Sequence, residues 1–245
     1  MNCLVTLAVG HQRFWRYTHV IMKEYARKHG LDFVVIDAAK INAPIEHSYK
    51  LEKFQIAELL NTYDRVLYLD GDIVIHPDCP NLFTLTPPEK IGAVAESPPH
   101  FQRDGLMEEA CRLYGFPEPS PGRDWINNGM LVVSQGHKKL FELPERVVNF
   151  PVRNSFGVVI DGHFWLDMPL MNALIAKHDL DIIDLGYRYN YLGSLQDNPK
   201  RAFPSDDAMI FHGSGAHKRD IYRLIVKWYG GLISLDKRAQ ERFAA

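Results

Sequence analysis

Val66-Leu67-Tyr68-Leu69 is an unbroken apolar run with no polar residue on either alternating side. Successive side chains of a strand point to opposite faces, so a run of this kind has to be covered on both. That is the situation of a mainly parallel sheet packed between helices. Ile91–Ala95 and Met130–Ser134 repeat the signature, and Leu4–Val9 opens the chain with another short apolar run. Between the runs, Tyr17, Val20, Ile21 and Tyr25 fall at helical spacing, with Gly30 placed to end that helix and Asp32–Ile36 following as a strand. Leu51, Phe54, Leu59 and Leu60 predict a second helix over Lys50–Leu60, and Leu106–Tyr114, Leu166–His178 and Ile221–Leu235 predict three more. The reading is an α/β fold: one domain over residues 1–245, with a mainly parallel central sheet flanked by helices.

The apolar content of 46% over 245 residues is that of an ordinary globular protein and excludes disorder. Lys plus Arg is 28 against 30 Asp plus Glu, a net charge of −2, which gives little general attraction for nucleic acid. The exception is residues 217–245, with seven basic side chains against three acids, so that 219–245 reads as a basic amphipathic extension. Its apolar residues Ile221, Leu224, Ile225, Trp228, Tyr229 and Leu232 suit either docking onto the domain, the favoured reading, or a weak peripheral contact with anionic lipid. No apolar run approaches the ~18 residues needed to span a bilayer. The apolar N-terminus lacks a basic leader and reads as a strand, not a signal peptide. Three scattered cysteines, Cys3, Cys79 and Cys111, make no disulfide framework. A cytoplasmic location is the expectation.

The buried run ends in Asp70-Gly71-Asp72. Residues i and i+2 of an extended chain face the same way, so both carboxylates can meet one object beyond the end of a sheet strand, where open α/β sheets bind ligands. Two hard oxygen donors suit Mg²⁺ or Mn²⁺, and Gly71 leaves room for a phosphate or ribose to approach the backbone. Asn127-Asn128-Gly129 offers amide donors and acceptors just before Met130–Ser134. Asp167 stands at a helix start, where it suits either an N-cap or a catalytic carboxylate, with Trp165 two residues before it and Asn172 five after. His212-Gly213-Ser214-Gly215, with Lys218, follows a third apolar run. The histidine can complete a metal shell, while the glycines and the lysine suit a phosphate.

Two chemistries use an acidic pair after a buried strand: a haloacid-dehalogenase-type phosphatase with Asp70 as nucleophile, and a sugar-nucleotide transferase whose acids hold a metal on a diphosphate. The phosphatase pair normally ends the first core strand. Here a β-α-β unit and another helix precede it, and the later pair Asp206-Asp207 follows no apolar strand.

In their order, Leu67-Tyr68-Leu69-Asp70-Gly71-Asp72 and His212-x-x-Gly215-x-x-Lys218 resemble the motifs of nucleotide-diphospho-sugar glycosyltransferases with the GT-A (Rossmann-like) fold. The resemblance is strongest to glycosyltransferase family eight, the glycogenin and lipopolysaccharide galactosyltransferase group, and runs from Leu4 to about Lys218. It implies a metal-dependent hexosyltransferase acting on a UDP-sugar and a carbohydrate or other hydroxyl acceptor, with retention of configuration. Mn²⁺ or Mg²⁺ would sit on Asp70, Asp72 and His212. Val5, Thr6 and Leu7 would meet the base, and Lys53, Asp70, Gly71, Asn128, Gly129, Gly215 and Lys218 the rest of the donor. Asp167 and Asn127 would be the catalytic residues at the sugar, with Glu96, Trp125 and Trp165 lining the acceptor side. Where the family often carries Asp-Gln, this chain has Asp167-Met168, and Arg219-Asp220 replaces the usual Pro-Trp. A sugar-nucleotide-binding protein without turnover is the third possibility.

Overall fold

β1 (Asn2–Leu7), α1 (Trp15–His29) and β2 (Asp32–Ile36) form the opening β-α-β unit of a computed structural model, which describes residues 1–41, 45, 47–98, 100–154, 156–192 and 207–230. Helix α1 stops where the sequence predicts. Gly30 turns left-handed at φ 66°, and its N–H returns to the carbonyls of Ala26 and Arg27. The helix expected over Lys50–Leu60 is instead a 3₁₀ segment, Ser48–Gln55, running into one α-helical turn, α2 (Ile56–Leu59). At three residues per turn, Lys50 and Lys53 share a side, which brings both to the cleft described below.

The chain continues with β3 (Arg65–Leu69), β4 (Ile73–Ile75), β5 (Ile91–Ala95), α3 (Leu106–Tyr114), β6 (Ile126–Ser134), β7 (Phe150–Arg153) and β8 (Val159–Trp165). It ends with α4 (Asp167–Lys177), β9 (Ile182–Asp184), β10 (Tyr191–Leu192), β11 (Ile210–His212) and α5 (Asp220–Tyr229). Six strands make the main sheet in the order β2-β1-β3-β6-β5-β9. Burial on both faces is as predicted. Leu4, Leu67 and Leu69 pack with residues of α1 and α5, while their neighbours Val5, Val66 and Tyr68 pack with α4.

One strand departs from the parallel reading. β6 runs antiparallel to both β3 and β5. Unbroken apolar character reports two-sided burial, which a reversed central strand shares, so direction was not legible from it. The reversal has a consequence for function. It places the start of β6, with Asn127 and Asn128, at the same edge as the end of β3, with Asp70.

β4, β10 and β11 form a second small sheet, in which β11 pairs antiparallel with β4. β7 and β8 make a hairpin whose second strand is largely exposed; neither element was expected from the sequence.

In α5, Ile221, Leu224 and Ile225 are fully buried in the core, and the indole of Trp228 meets the His76 ring edge-on at 5.1 Å. Of the side chains offered for lipid, these four in α5 are therefore spent on docking, and the membrane contact has no support from α5. Residues 231–235 of the expected helix lie outside the described residues, as does Asp206. Among the described residues no helix is long and apolar enough to cross a membrane.

Candidate active site

A cleft of about 760 Å³ opens at the carboxyl edge of the main sheet. Its floor is the turn between β3 and β4, where the chain leaves one sheet for the other. Asp70, Gly71 and Asp72 form that turn. His212, the last residue of β11, is paired in register with Ile73 of β4, and the N–H of Gly213 bonds to the carbonyl of Asp72 at 2.9 Å. The small sheet thus delivers a histidine to two aspartates far away in sequence. His212 Nε2 lies 3.3 Å from Asp72 Oδ1 and 3.7 Å from Asp70 Oδ2. One ligand atom from each of the three residues can be chosen so that all lie within 4.8 Å of one another.

Gly129 makes this approach possible. A Cβ there would stand 2.3 Å from His212 Cε1 and 2.9 Å from Asp70 Oδ2, so any side chain would push His212 and Asp70 apart. Gly71 has a different reason from the one expected. A Cβ at that position would stand 2.4 Å from the indole nitrogen of Trp15 and 3.0 Å from the carbonyl of Leu7. Packing against α1 and β1 requires this glycine, whatever comes close to it from the cleft.

Asp167 begins α4, yet its carboxylate caps nothing. It meets Lys53 Nζ at 2.5 Å and accepts from Asn128 Nδ2 at 2.8 Å. Lys53 Nζ also lies 3.6 Å from Asp70 Oδ1, which in turn accepts from the Tyr68 hydroxyl at 2.5 Å. Asn172 is fully buried and clamps the start of β6, with its Oδ1 accepting from the N–H of Ile126 and its Nδ2 donating to the Ile126 carbonyl. Immediately beyond that clamp β6 kinks. Val94 pairs with Asn127 but Gly92 pairs with Val132, so two steps along β5 span five along β6. The extra residues include Asn128, which lines the cleft, and Gly129, which lies against His212 and Asp70.

The charges are mutually held. Burial would depress the Lys53 ammonium, but Asp167 and then Asp70 more than offset it and leave its pKa raised. Burial would likewise raise the Asp167 carboxyl, and Lys53 overrides it, so that Asp167 stays ionised below its usual range. Against the same burial, Asp72 holds the His212 ring above its usual 6.5, with help from Asp70, while His212 and Lys218 hold Asp72 below 3.8.

The remaining sequence candidates divide. Leu7 lines the cleft, whereas the side chains of Val5 and Thr6 are fully buried within β1 behind it. Gly215, at φ 60°, and Lys218, 4.0 Å from Asp72 Oδ2, form part of the rim. Trp165 lines the cleft as expected, but Trp125 and Glu96 are buried and do not. Asn127 reaches the cleft with its amide already engaged, to Glu96, Asn190 and the N–H of Gly129. Trp15, Lys50 and His163 also line the cleft, and the sequence reading did not single them out. For Trp15 a signal existed, an aromatic just after β1 at the start of α1.

The sequence matches the profile described as "Glycosyl transferase family 8" over residues 16–218. The chain belongs to that family. As a family 8 member it is a nucleotide-sugar glycosyltransferase, and the phosphatase reading of Asp70 is displaced. Among curated proteins none matches the sequence. Solved structures similar to this family 8 chain include the galactosyltransferase LgtC in complex with donor and acceptor sugar analogues, at 16% identity and a TM-score of 0.57, covering 98% of this chain and 99% of that one. A glycosyltransferase involved in glycosylating the major capsid of PBCV-1 is 14% identical, with a TM-score of 0.54, and covers 92% and 99%. The apo form of GlyE from Streptococcus pneumoniae TIGR4 is 16% identical, with a TM-score of 0.52, and covers 100% and 63%. At these identities the likeness establishes the fold, which is GT-A.

Proposed function

We propose that this protein transfers a sugar from a UDP-sugar to a carbohydrate or other hydroxyl acceptor, with Mn²⁺ or Mg²⁺ held by Asp70, Asp72 and His212. The observation that carries the reading is the triad itself. Two carboxylates and an imidazole from two separate sheets converge on the floor of the cleft, on a glycine that leaves them room. The donor set fits such an ion, since hard oxygens with one borderline nitrogen suit Mn²⁺ in particular. When bound, the cation supplies Lewis-acid stabilisation of the leaving diphosphate.

The chain's own residues divide the rest. Lys218 and the backbone from Gly215 offer positive charge and N–H donors at the rim for diphosphate oxygens. Leu7 and the indole of Trp15 provide an apolar wall for the base. Asn128 and Asp167 stand where the donor sugar would lie, with Trp165 as a flat face beside them.

The state of Asp167 bears on stereochemistry. A carboxylate held below its ordinary pKa by a lysine at 2.5 Å is a poor acceptor of an acceptor-hydroxyl proton at neutral pH. It is well suited to stabilise positive charge developing on the sugar. This favours retention over inversion. All three cysteines are unpaired, in keeping with the reducing cytoplasm as the place of action.

A thermal-shift panel of nucleotide sugars with and without Mn²⁺ tests the proposal. A ligand that binds only the folded form raises the melting point by mass action, about 2.7 kcal/mol of stabilisation at a hundredfold excess over Kd. UDP-sugars should raise it strongly only with the metal present. A panel in which Mn²⁺ changes nothing would remove the metal-dependent reading.

A further inference from the structure

Four buried side chains run in single file from the interior to the triad: Glu96, Asn127, Asn190 and His212. Glu96 Oε1 accepts from Asn127 Nδ2 at 2.9 Å. Asn127 Oδ1 accepts from Asn190 Nδ2 at 2.9 Å and from the N–H of Gly129 at 3.0 Å. Asn190 Oδ1 faces His212 Nδ1 at 3.1 Å. At the far end, the second oxygen of Glu96 accepts from Arg103 Nε at 2.7 Å.

The direction of this file is forced. An ionised carboxylate only accepts, and a backbone N–H only donates. Glu96 and Gly129 therefore leave Asn127 one orientation, amide nitrogen toward Glu96 and carbonyl away from it. Asn190 must then donate to that carbonyl, which turns its own oxygen to the imidazole. The oxygen is satisfied only if His212 carries its proton on Nδ1. In the neutral ring Nε2 then holds the lone pair, and Nε2 is the atom beside Asp72 and Asp70. Without the file the preference would run the other way, because two carboxylates facing Nε2 attract a proton to it.

Resting on the reading of Asp70, Asp72 and His212 as a cation site, we propose that Glu96, Asn127 and Asn190 are positioning residues that fix His212 in its cation-binding tautomer. Asn127 acts on the imidazole through Asn190. Outer groups that orient a ligating histidine typically change metal affinity by about 10–100-fold.

The test is a polarity swap. In Glu96→Gln the residue must present an N–H to Arg103 or to Asn127, both of them donors, so the file loses its direction. Adding Asn127→Asp restores it. The introduced glutamine then accepts from Arg103 and donates to the introduced carboxylate, which in turn accepts from Asn190 and Gly129. ¹⁵N spectra of the His212 ring are recorded without metal, at a pH where the ring is neutral, and Mn²⁺ affinity is measured by calorimetry. The wild type should show Nδ1–H. Glu96→Gln should shift the ring toward Nε2–H and weaken Mn²⁺ binding by about 10–100-fold. The double variant should return both towards wild type. Ring shifts unmoved by Glu96→Gln, or a double variant no nearer wild type than the single, would overturn the relay. Wild-type protein that ignores Mn²⁺ while its ring shifts follow this pattern would uphold the relay and remove the metal reading instead.

Discussion

Lys53 Nζ sits 2.5 Å from Asp167 Oδ2, in an ion pair whose lysine is 2% exposed and whose aspartate is 11% exposed. The same ammonium lies 3.6 Å from Asp70 Oδ1, so one cation from the 3₁₀ segment ties the end of β3 to the start of α4. Removing it leaves two acids facing each other in a poorly hydrated place. Lys53→Met should cost about 3–5 kcal/mol in urea unfolding. Adding Asp167→Asn should recover part of that loss, because the pair is coupled. Strict additivity would show that the contact is energetically idle.

Asp70→Asn and Asp72→Asn should each lower metal-dependent transfer by roughly 10²-fold or more, since a Lewis acid contributes several kcal/mol to such a step. Far-UV circular dichroism should stay at wild type, and the Mn²⁺-induced thermal shift should vanish. Either variant turning over normally in chelator would contradict the role given to the triad.

Gly129→Ala offers a steric version of the same question. The added methyl would stand 2.3 Å from His212 Cε1, so the ligands must part. Overpacking of this kind costs about 1–3 kcal/mol. Mn²⁺ affinity should fall while UDP-independent properties such as helix content do not. Unchanged affinity in a folded variant would mean that the triad can spread without consequence.

The pH dependence follows from two opposed groups. His212 has a folded pKa above its ordinary 6.5, so its contribution to metal-free stability is complete below 6.5 and fades as pH rises through the folded value. Asp72, depressed below 3.8, contributes above 3.8 and loses that contribution as pH falls through its folded pKa. The metal-free cluster therefore stabilises the protein most between pH 3.8 and 6.5. Mn²⁺ must displace the imidazolium proton, so its affinity should instead rise with pH through that same raised value. Calorimetry in two buffers of different ionisation enthalpy should reveal proton release on binding at neutral pH, and none would contradict the raised histidine.

What the sequence conveyed and what it withheld have physical reasons. Two-sided burial is written in Val66–Leu69, and the left-handed stop of α1 is written in Gly30, because both are local demands on side-chain type. The convergence of Asp70, Asp72 and His212 was legible because each follows an apolar run at an element's end. Strand direction was not, since β6 looks the same read either way. The chain's engagement of Asn127 was equally hidden. An Asn before a strand presents the same two donors and lone pairs to a sugar or to a buried glutamate, and only the partner decides. Gly71 misled for a related reason: a glycine beside two acids signals close approach without saying what approaches.

The pairing of β11 with β4 has a consequence for biosynthesis. Asp70 and Asp72 emerge early from the ribosome, while His212 follows only after about 140 further residues, at about 5–20 residues per second. On the metal reading proposed above, a chain stopped before β11 would lack the histidine of the cation site. Under the role proposed for the triad, transfer would have to wait for the synthesis of β11.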